Sequence, residues 1–278
     1  MKSTFKQIAS KKSPQRISIA LAILFAVAVT FWSTPTTYDV NAETETLRIR
    51  TDIAPIIWGL SEVIMYRDYN PQSEAFTGSF SPSSGTDVEV ERITSGPLRL
   101  RCKNSNGSVG ELRNQDGQQK LGGRVTFVIP NVDKRAKSGG TLLFPVSGDI
   151  ELGQDLTYDA STTVAILQSG TVRVLGRSLL EPTLFEAGTY PLELGDDFRL
   201  EAALSPSVGV LVAGDHPGFR VAIRGTSKSA TVTRFGSSGY VIRTSLFERL
   251  KNDAGLQILW VAALTFVGFA RSFWKEKS

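Results

Sequence analysis

The chain has 278 residues, 31 Lys/Arg against 27 Asp/Glu, a formal net charge of +4, one cysteine and one histidine. The two singletons exclude an internal disulfide framework and a histidine-rich metal centre, which needs several ligands converging on one ion. Residues 1–33 carry five Lys/Arg and no acid and residues 255–278 add a further +2, so removing these seven charges from +4 leaves residues 34–254 at −3. The basic balance thus belongs to the chain ends, which excludes a nucleic-acid-binding face on the middle segment.

Residues 1–16 form a basic tail with Lys2, Lys6, Lys11, Lys12 and Arg16. The uncharged run Ile17–Trp32 (ISIALAILFAVAVTFW), extended by Ser33 and Thr34 up to Pro35, predicts a transmembrane helix over 17–34. Lysines before an apolar run place the N-terminus in the cytoplasm. The competing expectation is a cleavable signal peptide with Val40-Asn41-Ala42 as its small-residue site. Ala42 lies ten residues past Trp32, which favours an uncleaved anchor.

Residues 35–95 read as a membrane-proximal strand and loop region. Thr46–Arg50 is expected as a first strand leaving the membrane, and the Ser/Gly/Pro-rich stretch Asn70–Asp87 as a long loop. Ala54–Tyr66 is strongly apolar, and reads either as two buried strands around Gly59 or as a surface resting on a membrane or partner. From 96 to 244 the pattern changes. Short runs such as Leu98–Arg101, Arg124–Ile129, Thr171–Leu175 and Ala230–Phe235 alternate apolar and polar residues between turn signals such as Asn114–Gly117 and Gly195–Asp197. Period-two alternation with frequent turns predicts an all-β exported domain, an antiparallel sandwich, roll or barrel-like fold of one or two subdomains.

Ser245 and Glu248 match a capping box and predict a juxtamembrane helix over 245–255. The run Leu256–Ala270, extended through Trp274, predicts a second transmembrane helix over 256–274, with Arg271 snorkelling and Trp260 and Trp274 near the two interfaces. Its basic tail, 275–278, points to the cytoplasm. Both termini are therefore expected inside, with the β domain periplasmic at a bacterial inner membrane.

Chemistry is sparse. His216 sits in the turn sequence Gly214-Asp-His-Pro-Gly218, alone, and is expected as a loop residue. Cys102 ends a predicted strand and reads as a buried thiol, with an intermolecular bridge as the alternative. Asn106-Gly-Ser108 fits a glycosylation acceptor but reads as a turn. Asp196 with Asp197, Glu181 with Glu186, and Asp149 with Asp155 are the carboxylate pairs available for glycoside hydrolysis. They are read as turn-formers, because Trp58 is the only tryptophan outside the spans and no aromatic groove accompanies them. No phosphate loop is present. No catalytic, cofactor-binding or metal residue is assigned, and no cofactor is expected.

The resulting expectation is a non-enzymatic structural or accessory subunit of a bacterial envelope membrane complex. Two spans hold it in the membrane, and its β domain serves protein–protein assembly in a homo-oligomer or hetero-complex. The alternatives are a two-span channel, whose layout resembles trimeric ligand-gated channels in architecture only, and an envelope ligand sensor.

Overall fold

A computed structural model describes residues 13–31, 35–52, 56–68, 72–138, 140–153, 165–234 and 239–275. The first helix, α1 (Ser13–Phe31), is followed by β1 (Thr36–Thr44), β2 (Thr46–Thr51), β3 (Trp58–Arg67), β4 (Ser73–Pro82) and β5 (Asp87–Glu91). Then come β6 (Leu98–Lys103), β7 (Gly110–Asn114), β8 (Gly117–Lys120), β9 (Arg124–Ile129) and the short helix α2 (Val132–Lys137). Strands β10 (Leu142–Leu152), β11 (Leu167–Arg177), β12 (Leu184–Leu192), β13 (Asp197–Glu201) and β14 (Ser205–Ala213) lead to β15 (Phe219–Ser227), β16 (Ser229–Thr233) and β17 (Tyr240–Ile242). Helices α3 (Leu246–Asn252) and α4 (Ala254–Lys275) close the chain. The fold is mostly antiparallel β, as the alternation predicts. The chain divides into two compact units: one holds the helices at both ends and residues 175–188, the other residues 35–174 and 189–243.

In the β unit the ladders run β8–β7–β4–β3–β9–β6–β5–β2–β10, each neighbour antiparallel. At β10 the sheet forks. Its first half pairs with β14, which continues to β15 and β1, and its last residues pair with β13, which continues to β16 and β17. Gly148 stands at the fork, paired with Thr51 on one side and Ser207 on the other. Its φ is +144°, and a Cβ there would run into the Arg50 carbonyl, so only glycine fits.

The core of this unit is aromatic. Trp58 lies 5.8 Å from Phe80 and 5.9 Å from Phe144 between ring centroids, and Phe80 lies 5.0 Å from Phe127. The Trp58 indole N–H donates to the Pro145 carbonyl at 2.7 Å, which satisfies the one polar atom of a ring buried to 1 % exposure.

Several local expectations change. The stretch read as a loop from Asn70 to Asp87 contains β4, which buries Phe76, Phe80 and Pro82 although its composition is Ser- and Gly-rich. Tertiary pairing with β3 and β7 overrides its weak local preference. The first strand is β1 rather than Thr46–Arg50, and Tyr38, Val40 and Ala42 alternate inward along it. The apolar Ala54–Tyr66 segment contributes one strand, β3, not two. A register shift between Leu60 and Val63, with Glu62 at φ 51°, bends it where two strands were expected to meet. Helix α2 was not anticipated, because VDKRAK carries no apolar period.

Tyr38 gives the β unit a pH limit. Its hydroxyl donates to the Ile242 carbonyl at 3.1 Å, and burial lifts the phenol from 10.0 to about 12. The folded state therefore holds the proton more tightly than the unfolded state, and the resulting stability is complete below pH 10 and lost as pH rises towards 12. The denaturant midpoint of the wild type is expected to fall between pH 10 and 12 more steeply than that of Tyr38→Phe. Equal slopes would remove Tyr38 as the cause.

The helical unit has its own polar joints. The Arg249 guanidinium donates to the Thr30 carbonyl at 3.1 Å, in the last turn of α1, where a cation is favoured by the helix dipole. The Trp260 indole donates to the Thr30 hydroxyl at 3.1 Å, which itself donates back to Ala26 at 2.7 Å. Ser245 and Glu248 form the expected capping box at the start of α3. Among the described residues no single helix is long and apolar enough to cross a membrane; α3 and the 254–269 part of α4 pass by length and composition together, with a bend of 86° between them.

Candidate functional site

Six neighbouring strands of the β unit build one charged, concave face. Alternation buries Leu47 and Ile49 of β2, Val88 and Val90 of β5 and Leu100 and Cys102 of β6, and turns the intervening charged residues outward. The sequences RIR, DVEVE and RLRCK thereby become cross-strand neighbours. Register sets Arg101 opposite Glu89, Glu89 opposite Arg48, Arg48 opposite Glu151 and Glu151 opposite Arg199. The result is an unbroken row of alternating sign across β6, β5, β2, β10 and β13.

Distances along the row are 3.1 Å for Arg101–Glu89, 3.8 Å for Glu89–Arg48, 3.7 Å for Arg48–Glu151 and 2.7 Å for Glu151–Arg199. A second row, one residue pair further along, sets Lys103 opposite Asp87, Asp87 opposite Arg50 and Arg50 opposite Asp149. Together the rows floor a cavity of about 660 Å³, with Ala203 at one margin. Six Lys/Arg and four Asp/Glu line it, an excess of two positive charges. Exposed cross-strand ion pairs contribute only about 0.2–1 kcal/mol each. The exposed second row, where Arg50 and Asp87 are 67 and 64 % exposed, can therefore exchange internal partners for those of an incoming surface at small cost, while the half-buried Glu151 holds the first row in place.

No family model, curated protein sequence or solved structure matches this chain.

The residues singled out in the sequence are dispersed. Cys102 lies beneath the charged face as a buried free thiol, and burial pushes its ionisation far upward, so it is a poor nucleophile. Asp149 reaches the charged face; Asp155 lies outside the described residues. Glu181 and Glu186 are exposed on the 175–188 segment of the other unit, where Glu181 accepts from the Thr183 hydroxyl at 3.3 Å. Asp196 closes the 193–196 turn, its N–H donating to the Glu193 carbonyl at 3.1 Å and its carboxylate accepting from the Glu193 N–H at 2.8 Å; it is also fully buried and takes both Nε and Nη2 of Arg234 at 2.8 and 2.9 Å. Asp197 instead pairs with Arg199 at 2.9 Å. Asn106 lies in the expected turn.

His216 occupies the expected loop, and its ring faces Asp215 at 3.6 Å with both side chains more than half exposed. Its carbonyl matters more than its ring. Arg92, 0 % exposed, shares the two N–H groups of Nη1 among the carbonyls of Gly214, His216 and Gly218 at 2.9, 2.9 and 2.7 Å. Nε donates to Gly96 at 3.2 Å, and Nη2 pairs with Asp133 at the start of α2. Three chain segments are thus gathered on one guanidinium, whose planar fork supplies five donors. Sequence reasoning missed Arg92 because nothing in its neighbourhood marks it as buried. Among the described residues, no three or more His, Cys, Asp or Glu side chains are placed to share a metal ion.

Proposed function

We propose that this chain is a non-enzymatic, membrane-anchored subunit of a bacterial envelope complex, with both termini cytoplasmic and the β unit periplasmic. One observation carries the reading: the outer faces of α1 and α4 leave Leu24, Phe25, Val261 and Leu264 at 67, 61, 64 and 64 % exposure. Contiguous apolar surface of this kind is stable only when lipid or protein covers it. By length alone, counting the polar and basic residues at their ends, the 22 residues of α4 and 19 of α1 would rise about 33 Å and about 28 Å at 1.5 Å each, against a hydrocarbon core of about 30 Å. An uncleaved first helix fits the β unit, since cleavage after Ala42 would remove seven of the nine residues of β1, which pairs with β15 along its whole length.

The charged concave face is the assembly surface in this reading, and the partner presents a net acidic segment to it. Crosslinking in native membranes followed by mild solubilisation is expected to recover the chain with a partner or with copies of itself. Recovery as a monomer alone contradicts assembly. The double variant Arg50→Ala/Lys103→Ala, at exposed positions of the second row, is expected to weaken recovery about tenfold, equivalent to about 1.4 kcal/mol, while the thermal midpoint of the isolated protein barely moves. Undiminished recovery removes this face from the interface.

A further inference from the structure

We infer that α3 and the β11–β12 tip, residues 175–188, form an apolar foot that inserts into the lipid headgroup region beside α4. The inference rests on the membrane reading above and adds a lipid-contact surface to it. Its geometric basis is the 86° bend between α3 and α4. With α4 along the bilayer normal, α3 lies in the plane of the membrane surface.

The bend is built by side chains at both of its ends. The Asp253 carboxylate, fully buried, accepts from the backbone N–H of Gly255 at 2.9 Å and Leu256 at 3.4 Å, capping α4. The same carboxylate accepts from the Ser178 hydroxyl at 2.8 Å and the Leu179 N–H at 3.0 Å, which ties the strand tip to the level where α4 begins. Gln257 donates to the carbonyls of Leu250 and Lys251 at 3.3 and 2.6 Å, groups that α3 leaves without helical partners at its end. This accounts for a polar residue in the first turns of an otherwise apolar helix. Gly255 permits the close approach: a Cβ there would stand 2.9 Å from the Leu180 nitrogen.

At that level four large apolar side chains face outward. Phe247 is 75 % exposed, Leu180 62 %, Leu184 48 % and Leu246 39 %. Two come from α3 and two from the strand tip, so separate segments present the same chemistry beside the same helix end. Charge does not draw this surface to lipid. Arg177, Arg249 and Lys251 stand against Glu181, Glu186, Glu248 and Asp253, a net −1. Attraction is therefore apolar, and independent of anionic headgroups.

Spin labels on Leu180→Cys and Phe247→Cys test this in the full chain, because buried Cys102 stays unlabelled. Val261→Cys reports the α4 outer face and Gln119→Cys an exposed strand of the β unit. The proteins are reconstituted in phosphatidylcholine vesicles, with and without phosphatidylglycerol, and collisions with oxygen and with a water-soluble nickel chelate are compared. At 180 and 247 the oxygen-to-nickel ratio is expected to exceed that at 119 several-fold, at a depth shallower than 261, in both lipid mixtures. Nickel access at 180 and 247 equal to that at 119, with 261 in lipid, overturns the foot and leaves the anchor standing. A depth that requires phosphatidylglycerol overturns the apolar mechanism. Low access to both reagents at 180 and 247 overturns it by showing that a second copy covers the surface. Aqueous behaviour at 261 overturns the membrane reading and the foot with it.

Discussion

Arg92→Met is expected to destabilise the β unit by about 3–5 kcal/mol, the range for removing one partner of a buried charged network. The substitution keeps most of the side-chain volume, so the loss is one of hydrogen bonds. Four backbone carbonyls, at Gly96, Gly214, His216 and Gly218, lose their donor, and Asp133 loses its cation. The buried Gly218 acceptor left unpaired costs about 1–3 kcal/mol, and the part-buried carbonyls of Gly96, Gly214 and His216 less. Arg92→Lys recovers less than half of the loss, because a single ammonium cannot reach carbonyls spread around a planar fork. The check is the denaturant midpoint of the full chain in detergent. A shift under about 1 kcal/mol for Arg92→Met would mean that water replaces the guanidinium.

Asp253→Ala carries the second large effect, about 3 kcal/mol, confined to the helical unit. One carboxylate serves four donors there: Gly255 and Leu256 at the start of α4, and Ser178 and Leu179 on the strand tip. Losing an N-cap alone costs about 0.5–2 kcal/mol, and the buried amides it abandons add to that. Asp253→Asn is expected to fall between, since its amide oxygen keeps one set of bonds while its NH2 faces donors on the other. Hydrogen exchange separates this variant from Arg92→Met. Protection should drop over 178–184 and 254–257 while the Trp58–Phe80–Phe127 core exchanges as in the wild type. Loss of protection in that core would place Asp253 in a wider network than its contacts define.

What the sequence reveals is local. The Ser245–Glu248 capping box is legible because its two hydrogen bonds lie within one turn. The Asn114–Gly117 turn is equally so: the Asn114 side chain accepts from the Asp116 and Gly117 amides, and Gly117 adopts φ +134°. The all-β character follows from alternation repeated across many short strands. What escapes is non-local. Strand β4 is Ser- and Gly-rich and holds through its neighbours, and α2 has one buried apolar residue and is held by Arg92 and by Arg135 bonding back to Ser61. The charged face was visible in pieces, as Arg-Ile-Arg, Asp-Val-Glu-Val-Glu and Arg-Leu-Arg. It becomes a lattice only through the strand order β6–β5–β2–β10–β13, which alternation alone does not specify. Arg92 and Asp253 gather partners from distant segments, and no short motif marks them.

The central claim is that two apolar helices hold the β unit on one side of a membrane. Single cysteines at Ser3, Gln119 and Ser278, probed with a membrane-impermeant maleimide on bacterial spheroplasts, test it directly. Gln119→Cys is expected to label in intact spheroplasts, and Ser3→Cys and Ser278→Cys only after permeabilisation, with Cys102 silent throughout. Labelling of all three in intact spheroplasts, or recovery of the chain outside the membrane fraction, would contradict the account.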